Sequence, residues 1–171
     1  MQRDTETGQL TILGWREWLV MPELGLPAIK AKLDTGARTS SLHTFQLETY
    51  EEAGRQMVRF GIHPLQRKTS LEIFCTAPIA DRRVVTDSGG HPEERWVIVT
   101  PVVIGSFTRD IEITLTNRDS MRFRMLLGRT AMWGGICVNP DISYALGTNL
   151  RKVYSRQKTA AADDPRNARA N

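Results

Sequence analysis

One short segment constrains the fold of this 171-residue chain more than any other: residues 33–37, with the sequence LDTGA. It ends a run in which apolar residues alternate with Lys30 and Lys32, the period-two pattern of a strand with one buried face. Gly36 lies two residues after the carboxylate and permits a backbone bend that other residues resist. The sequence therefore predicts a strand that ends in a tight turn carrying Asp34.

A second motif, residues 126–129 (LLGR), follows much later in the chain. It is an apolar pair stopped by Gly128, a segment of the kind that packs beneath such a turn. Residues 130–133 after it form the best candidate for a helical turn in the chain. We therefore expect one short helix after Gly128.

Most of the remaining chain also has a period of two rather than 3.6. Residues 111–115 alternate apolar and polar side chains, and residues 84–99 read as a hairpin with a Gly-rich tip at 87–90. The pattern predicts an all-β barrel or sandwich of short strands. We expect one domain over residues 11–150, preceded by a flexible leader at 1–10.

The charge of the chain lies in its last segment. Residues 151–171 hold six basic and two acidic residues, which accounts for the whole formal net charge of +4. The rest of the chain is balanced, with 17 basic and 17 acidic residues. We therefore expect a disordered basic tail at 151–171 and no specific nucleic-acid partner for the fold.

The cysteines, the N-terminal residues and the apolar runs together indicate in which cellular compartment the protein is expected. Cys75 and Cys137 lie in apolar runs without a CxxC spacing, which predicts two buried thiols in a reducing compartment. Residues 1–9 are polar and carry no export signal, and no run approaches the roughly 20 apolar residues that span a bilayer. We expect a soluble, cytoplasmic protein with no membrane partner.

Asp34 is the candidate catalytic residue. One carboxylate alone is a poor acid–base catalyst, but two placed across a dyad share one proton and act as an acid–base pair. A C2 homodimer would bring Asp34 opposite its own copy. Hydroxyls of Thr35 and of Ser40 or Ser41 are expected to orient the carboxylate. The alternative is that Asp-x-Gly here is only a structural turn.

Four segments together resemble a known family: residues 29–43, 87–95, 115–121 and 125–132. They are similar, nearly position by position, to a bacterial family of small retropepsin-like aspartic peptidases. That family is described as ATP-dependent zinc proteases and is associated with RimK-type ligases. The resemblance covers about residues 12–145 in matching order. It departs at the hairpin tip, where Gly89 stands in place of the family's Asn.

The resemblance implies a closed retropepsin-like β-barrel whose subunits dimerise. Asp34 would be catalytic, residues 87–94 a flap, and residues 126–129 a buried segment behind the catalytic loop. The loop residues implied are Thr35, Gly36, Ala37 and Ser40, and the flap residues expected to contact substrate are Gly89, Gly90 and His91. The implied function is a homodimeric aspartic endopeptidase that hydrolyses peptide bonds, with glutamate-rich tails of a RimK-modified protein as expected substrates.

An acidic substrate would favour a positively charged cleft. Arginine suits carboxylates because its planar fork binds both oxygens. The candidate substrate-binding arginines are Arg38, Arg95, Arg118 and Arg129, with Lys30 and Lys32 ahead of the loop. The alternative is that these cations pair with acidic residues of the fold.

The sequence predicts no metal site and no cofactor. His43, His63 and His91 are scattered and show no HExxH spacing, and no phosphate-binding Gly-rich loop supports direct use of ATP. Two alternatives to the aspartic peptidase stay open: a non-catalytic peptide-binding module on the same fold, and a metal-dependent peptidase.

Overall fold

The computed structural model of the chain describes residues 10–117 and 122–155. Twelve strands lie in these residues: β1 (Thr11–Gly14), β2 (Arg16–Met21), β3 (Leu26–Asp34), β4 (Ser40–His43), β5 (Gln46–Glu52), β6 (Arg55–Ile62), β7 (Ile73–Pro78), β8 (Asp81–Thr86), β9 (Pro92–Ile104), β10 (Phe107–Thr116), β11 (Met125–Gly128) and β12 (Ile136–Asn139). The chain is mostly β, as predicted.

Short 3-10 turns, and α-helical residues at 153–155, complete the secondary structure of the described residues. One of them, Arg129–Met132, follows Gly128 directly, so the predicted short helix is confirmed there. Two further 3-10 turns, at Pro22–Leu24 and Asn149–Lys152, were not expected from the sequence.

The largest sheet has the strand order β10-β4-β11-β3-β2-β9-β8, and β9 also pairs with β10. Six strands therefore form a ring of pairings, and β8 extends from β9. A second sheet contains β5, β6 and β7, while β1 and β12 form a parallel pair. The predicted all-β fold is confirmed in this form.

Alternate residues of the ring strands fill the core. In β3, Ile29 and Ala31 are fully buried and Leu33 nearly so, while Lys32 between them is exposed. The larger side chains, those of Ile29 and Leu33, each contribute about 1.5–3 kcal/mol through their removal from water. The period-two pattern of the sequence is therefore the pattern of burial, and it fixes Asp34 at the end of a rigid strand.

The two cysteines differ in environment. Cys75 lies buried in β7, and burial raises the pKa of its thiol to about 12. Cys137 is exposed, so the prediction of two buried thiols is wrong for this residue. It lies in β12 opposite Ile12 of β1, a residue that is itself 54% exposed, on an open face of the two-stranded sheet.

Packing continues beyond residue 150, where the sequence predicts the end of the domain. Tyr154 is buried against Trp18 and Ala28, and its hydroxyl donates a hydrogen bond to the Ala28 carbonyl oxygen. Burial raises the pKa of Tyr154 to about 12, which keeps the donating proton in place at neutral pH. The rest of the predicted tail and nearly all of the leader lie outside the described residues.

We predict that truncation after Ser155 leaves stability unchanged, whereas truncation after Leu150 lowers it. The shorter chain loses the buried Tyr154 ring, a loss of about 3 kcal/mol and a fall in Tm of roughly 10 °C. Thermal unfolding of both truncations beside the full chain measures this difference. Equal Tm values for the two truncations would contradict the role given to Tyr154.

Candidate active site

The Asp34 carboxylate is held by backbone donors. Its Oδ1 accepts hydrogen bonds from the amides of Gly36 at 3.0 Å and Ala37 at 3.1 Å. Among the hydroxyls predicted to orient Asp34, that of Ser40 accepts from the Gly128 amide instead. Because the turn itself aims the carboxylate, its direction does not depend on a mobile side chain.

Strand β11 lies beneath this turn, between β3 and β4. It runs parallel to β3, with Gly128 opposite Asp34, and antiparallel to β4. The Gly128 amide donates to Ser40 Oγ at 3.0 Å. A Cβ at position 128 would lie 2.4 Å from the carbonyl carbon of Thr39, so only glycine fits. The predicted packing of residues 126–129 beneath the Asp34 turn is confirmed.

The 3-10 turn after β11, Arg129–Met132, donates hydrogen bonds to the Asp34 loop. The Arg129 amide donates to the Ala37 carbonyl at 2.7 Å, and the Thr130 amide donates to the Arg38 carbonyl at 3.1 Å. The Arg129 guanidinium donates through Nη1 to the Thr35 carbonyl at 2.9 Å. Arg129 therefore positions the loop, a different arrangement from the predicted contact with substrate.

A cavity of about 370 Å³ opens between the Asp34 loop and the β8–β9 hairpin. Asp34, Ala37 and Arg38 line it on the loop side, and residues 85–88 line it on the hairpin side. The fold thus brings together two segments that are about 50 positions apart in the sequence. A carboxylate facing a cavity of this size beneath a hairpin has room for a bound peptide segment.

The hairpin tip is organised by Asp87. Its Oδ1 accepts hydrogen bonds from the amides of Gly89 and His91, each at 2.9 Å. Gly90 adopts a left-handed φ of 82°, which a glycine accepts without strain. The predicted hairpin with a Gly-rich tip is confirmed, while Gly89, Gly90 and His91 lie outside the lining of the cavity.

Comparison with known proteins gives the family. Residues 12–148 match the model of the RimB-like family, described as the retropepsin-like aspartic endopeptidase RimB. The chain belongs to this RimB-like family. The resemblance seen in the sequence is therefore confirmed at the level of the family.

Relatives of this RimB-like chain include longer proteins. It is 43% identical over 152 residues to a probable alpha-L-glutamate ligase of Desulfotalea psychrophila, and 46% identical over 152 residues to one of Parasynechococcus marenigrum. Each alignment covers 86% of this chain and 33% of the relative, so the chain spans about one third of their length.

A crystal structure with a similar fold comes from Legionella pneumophila, a protein of unknown function (DUF785). The TM-score is 0.67 at 25% identity, and the match covers 80% of this chain and 98% of that one.

The predicted cationic residues separate into different environments. Arg38 is exposed and lines the cavity. Arg95 also lines it but is 9% exposed, and its Nε donates to Glu93 at 2.9 Å, which offsets its charge. Arg118 lies outside the described residues. Lys30 lines a different cavity and therefore lies apart from the cations near Asp34.

The sequence prediction gave His43 and Thr114 no role beside Asp34, yet both line this cavity, together with Ser41, which was predicted only as a possible hydroxyl partner of the carboxylate. Ser41 and His43 stand two apart on β4, so strand alternation places both on one face. That signal is present in the sequence, but its use requires knowing that β4 runs beside β11 and near Asp34. Thr114 comes from β10, which pairs with β4.

The described residues contain neither a group of metal ligands nor a helix that could span a membrane. Within residues 10–117 and 122–155, no three His, Cys, Asp or Glu side chains are grouped as a metal site would require. In the same part of the chain, no helix has the length and apolar character to cross a bilayer.

We predict that Gly128→Ala lowers the free energy of unfolding by about 2–3 kcal/mol, since the added methyl overlaps backbone that cannot easily move. Gly54→Ala is the control. Gly54 has a left-handed φ of 74° and open space around it, so a cost of about 1 kcal/mol is expected there. Urea unfolding compares the variants, and an equal loss at both positions would contradict the close approach described for β11.

Proposed function

We propose that this chain is one subunit of an aspartic endopeptidase that hydrolyses peptide bonds as a C2 homodimer. One observation carries the proposal: Asp34, aimed by two backbone amides, lines a cavity beneath a hairpin. Membership of a family described as aspartic endopeptidases supports it. The chain holds a single Asp-Thr-Gly, and in this proposal a second copy supplies the second carboxylate of the pair.

In this mechanism two Asp34 carboxylates face each other across the dyad and share one proton. The ionised carboxylate accepts a proton from a water molecule, whose oxygen attacks the peptide carbonyl carbon. The protonated carboxylate gives its proton to the carbonyl oxygen. Collapse of the tetrahedral intermediate, with proton transfer to the leaving nitrogen, releases an amine and a carboxylic acid.

The hairpin acts as a flap in this proposal. Its tip is fixed internally by Asp87, while Val84 at its stem is 67% exposed, so the hairpin has little packing to hold it down. Closure over a bound peptide would exclude water from the cavity, and opening would release the products.

An apolar patch beside the Asp34 loop supports self-association. Leu10, Ile12 and Trp133 are exposed by 63%, 54% and 59%. Trp133 follows the turn that grips the loop, and the amide of Thr11 donates to the carbonyl of Gly135 nearby. Exposed apolar side chains on such adjoining segments can mark an interaction site, and we place the second copy of the proposed dimer there.

For the substrate we propose glutamate-rich peptides, such as the tails made by a RimK-type ligase. The support comes from the relatives: proteins named as probable alpha-L-glutamate ligases contain a region similar to this chain. Arg38 supplies an exposed guanidinium in the cavity for a substrate carboxylate.

We predict that Asp34→Asn abolishes hydrolysis of a glutamate-rich peptide while the protein stays folded. The amide has nearly the same shape as the carboxylate but cannot share the proton of the pair. Asp110→Asn, an exposed position on β10, is the matched control and should keep full turnover. Mass spectrometry of the peptide products compares the turnover of the two variants. Normal turnover by a folded Asp34→Asn variant would refute the aspartic mechanism.

We also predict that mass and specific activity rise together with protein concentration. Ile12→Glu should weaken the dimer at least about ten-fold, because burying a carboxylate in an apolar interface is costly. Val99→Glu is the control, since Val99 is 47% exposed on β9. Sedimentation velocity across a dilution series measures both, and full activity in a strictly monomeric sample would exclude the dimer.

A further inference from the structure

A second cavity, of about 520 Å³, shares no lining residue with the Asp34 cavity. Eleven of the described residues line it. None of them is acidic, and six are basic: Arg16, Lys30, Arg67, Lys68, Arg122 and Arg151. This concentration of one charge contrasts with the balance of 17 basic and 17 acidic residues over positions 1–150.

Two cations of this cavity have neutral hydrogen-bond partners. Lys30 donates to Gln66 Oε1 at 2.7 Å, and Arg16 donates through Nε to Ser143 Oγ at 3.2 Å. Among residues 10–117 and 122–155, no carboxylate pairs with any of the six. Elsewhere arginines are paired, as Arg83 is with Glu112 at 2.7 Å. Like charges held together repel one another, and a bound anion would relieve that repulsion.

The cavity wall is tied together by specific contacts. Gln66 accepts from Lys30 and donates through Nε2 to the Arg122 carbonyl at 2.7 Å, which links three separate segments. Arg67 beside it holds a φ of 58°, in the left-handed region that an arginine rarely adopts. Strain of this kind persists where the surroundings enforce it, and it is concentrated at ligand sites.

The position of Lys30 relates this cavity to Asp34. Lys30, Lys32 and Asp34 alternate with the buried residues of β3, so they lie on one face of the strand. Lys30 and Asp34 are four positions apart on the strand, a span of about 13 Å. An extended peptide covers that distance with about four residues.

We propose that this basic cavity, formed around Lys30, is an exosite that binds the carboxylates of an acidic peptide. The inference rests on the proposed function only in that the bound peptide is the one cleaved at Asp34. A peptide fits better than a nucleic acid because the aromatic walls, Trp18 and Tyr154, are 7% and 5% exposed and offer no face for stacking bases.

Binding is tested in the Asp34→Asn background, so that no peptide is consumed. The probe is a labelled octaglutamate peptide, followed by fluorescence anisotropy. Lys68→Glu with Arg151→Glu reverses two exposed cavity charges and should weaken binding about ten-fold or more. Arg55→Glu with Lys152→Glu changes the net charge equally at exposed positions outside the cavity, and binding should stay within about two-fold of the unreversed protein.

Equal affinity of the cavity variant and the control variant would overturn the proposal. An RNA oligonucleotide of equal charge is the second probe, and tighter binding of RNA that is lost in the cavity variant would also overturn it. With Asp34 intact, the cavity variant should raise KM for a glutamate-rich peptide and leave kcat and cleavage of a neutral peptide unchanged. Failure of the intact protein to cleave any peptide would count against the proposed function and leave the binding result standing.

Discussion

The close approach of Gly128 to the backbone of Thr39 and Ser40 is the contact on which the site depends. It lets β11 lie between β3 and β4, so that Leu127 is buried in the core and the following turn reaches the Asp34 loop. Carbonyls of that loop are then occupied by the turn, and its amides point back to the carboxylate. These contacts hold the Asp34 loop in one conformation and so fix the position of its carboxylate.

Local features were predictable from the sequence because their causes are local. Alternation in β3 and β10, the glycine tip of the hairpin and the turn after Gly128 all follow from neighbouring residues. The residues that line the Asp34 cavity were not predictable in this way, because they depend on which strands become neighbours in the sheet. Tyr154 was missed because one aromatic residue lay beside a charged, low-complexity tail. The partner of Arg95, Glu93, lies two positions away on the same face of β9, and the sequence prediction did not anticipate this pair.

In the proposed function, the two cavities have different roles: the Asp34 cavity cleaves the peptide, and the basic cavity around Lys30 binds its acidic side chains. The Asp34 cavity contains one exposed guanidinium, from Arg38, while Arg95 there is paired with Glu93. The second cavity gathers six cations without a described carboxylate. A carboxylate pair that cleaves peptides is disturbed by strong nearby charge, because a cation favours its ionised form. Keeping recognition of acidic side chains about 13 Å away leaves the shared proton undisturbed.

The central claim is that two copies of Asp34 form one catalytic unit, and subunit mixing tests it most directly. Wild-type and Asp34→Asn chains are exchanged at equal amounts and constant total concentration, and peptide hydrolysis is measured. If both carboxylates are needed, only dimers of two wild-type chains act, and activity falls to about one quarter of the undiluted wild type. Activity of about one half would show that each subunit works alone and would contradict the paired mechanism.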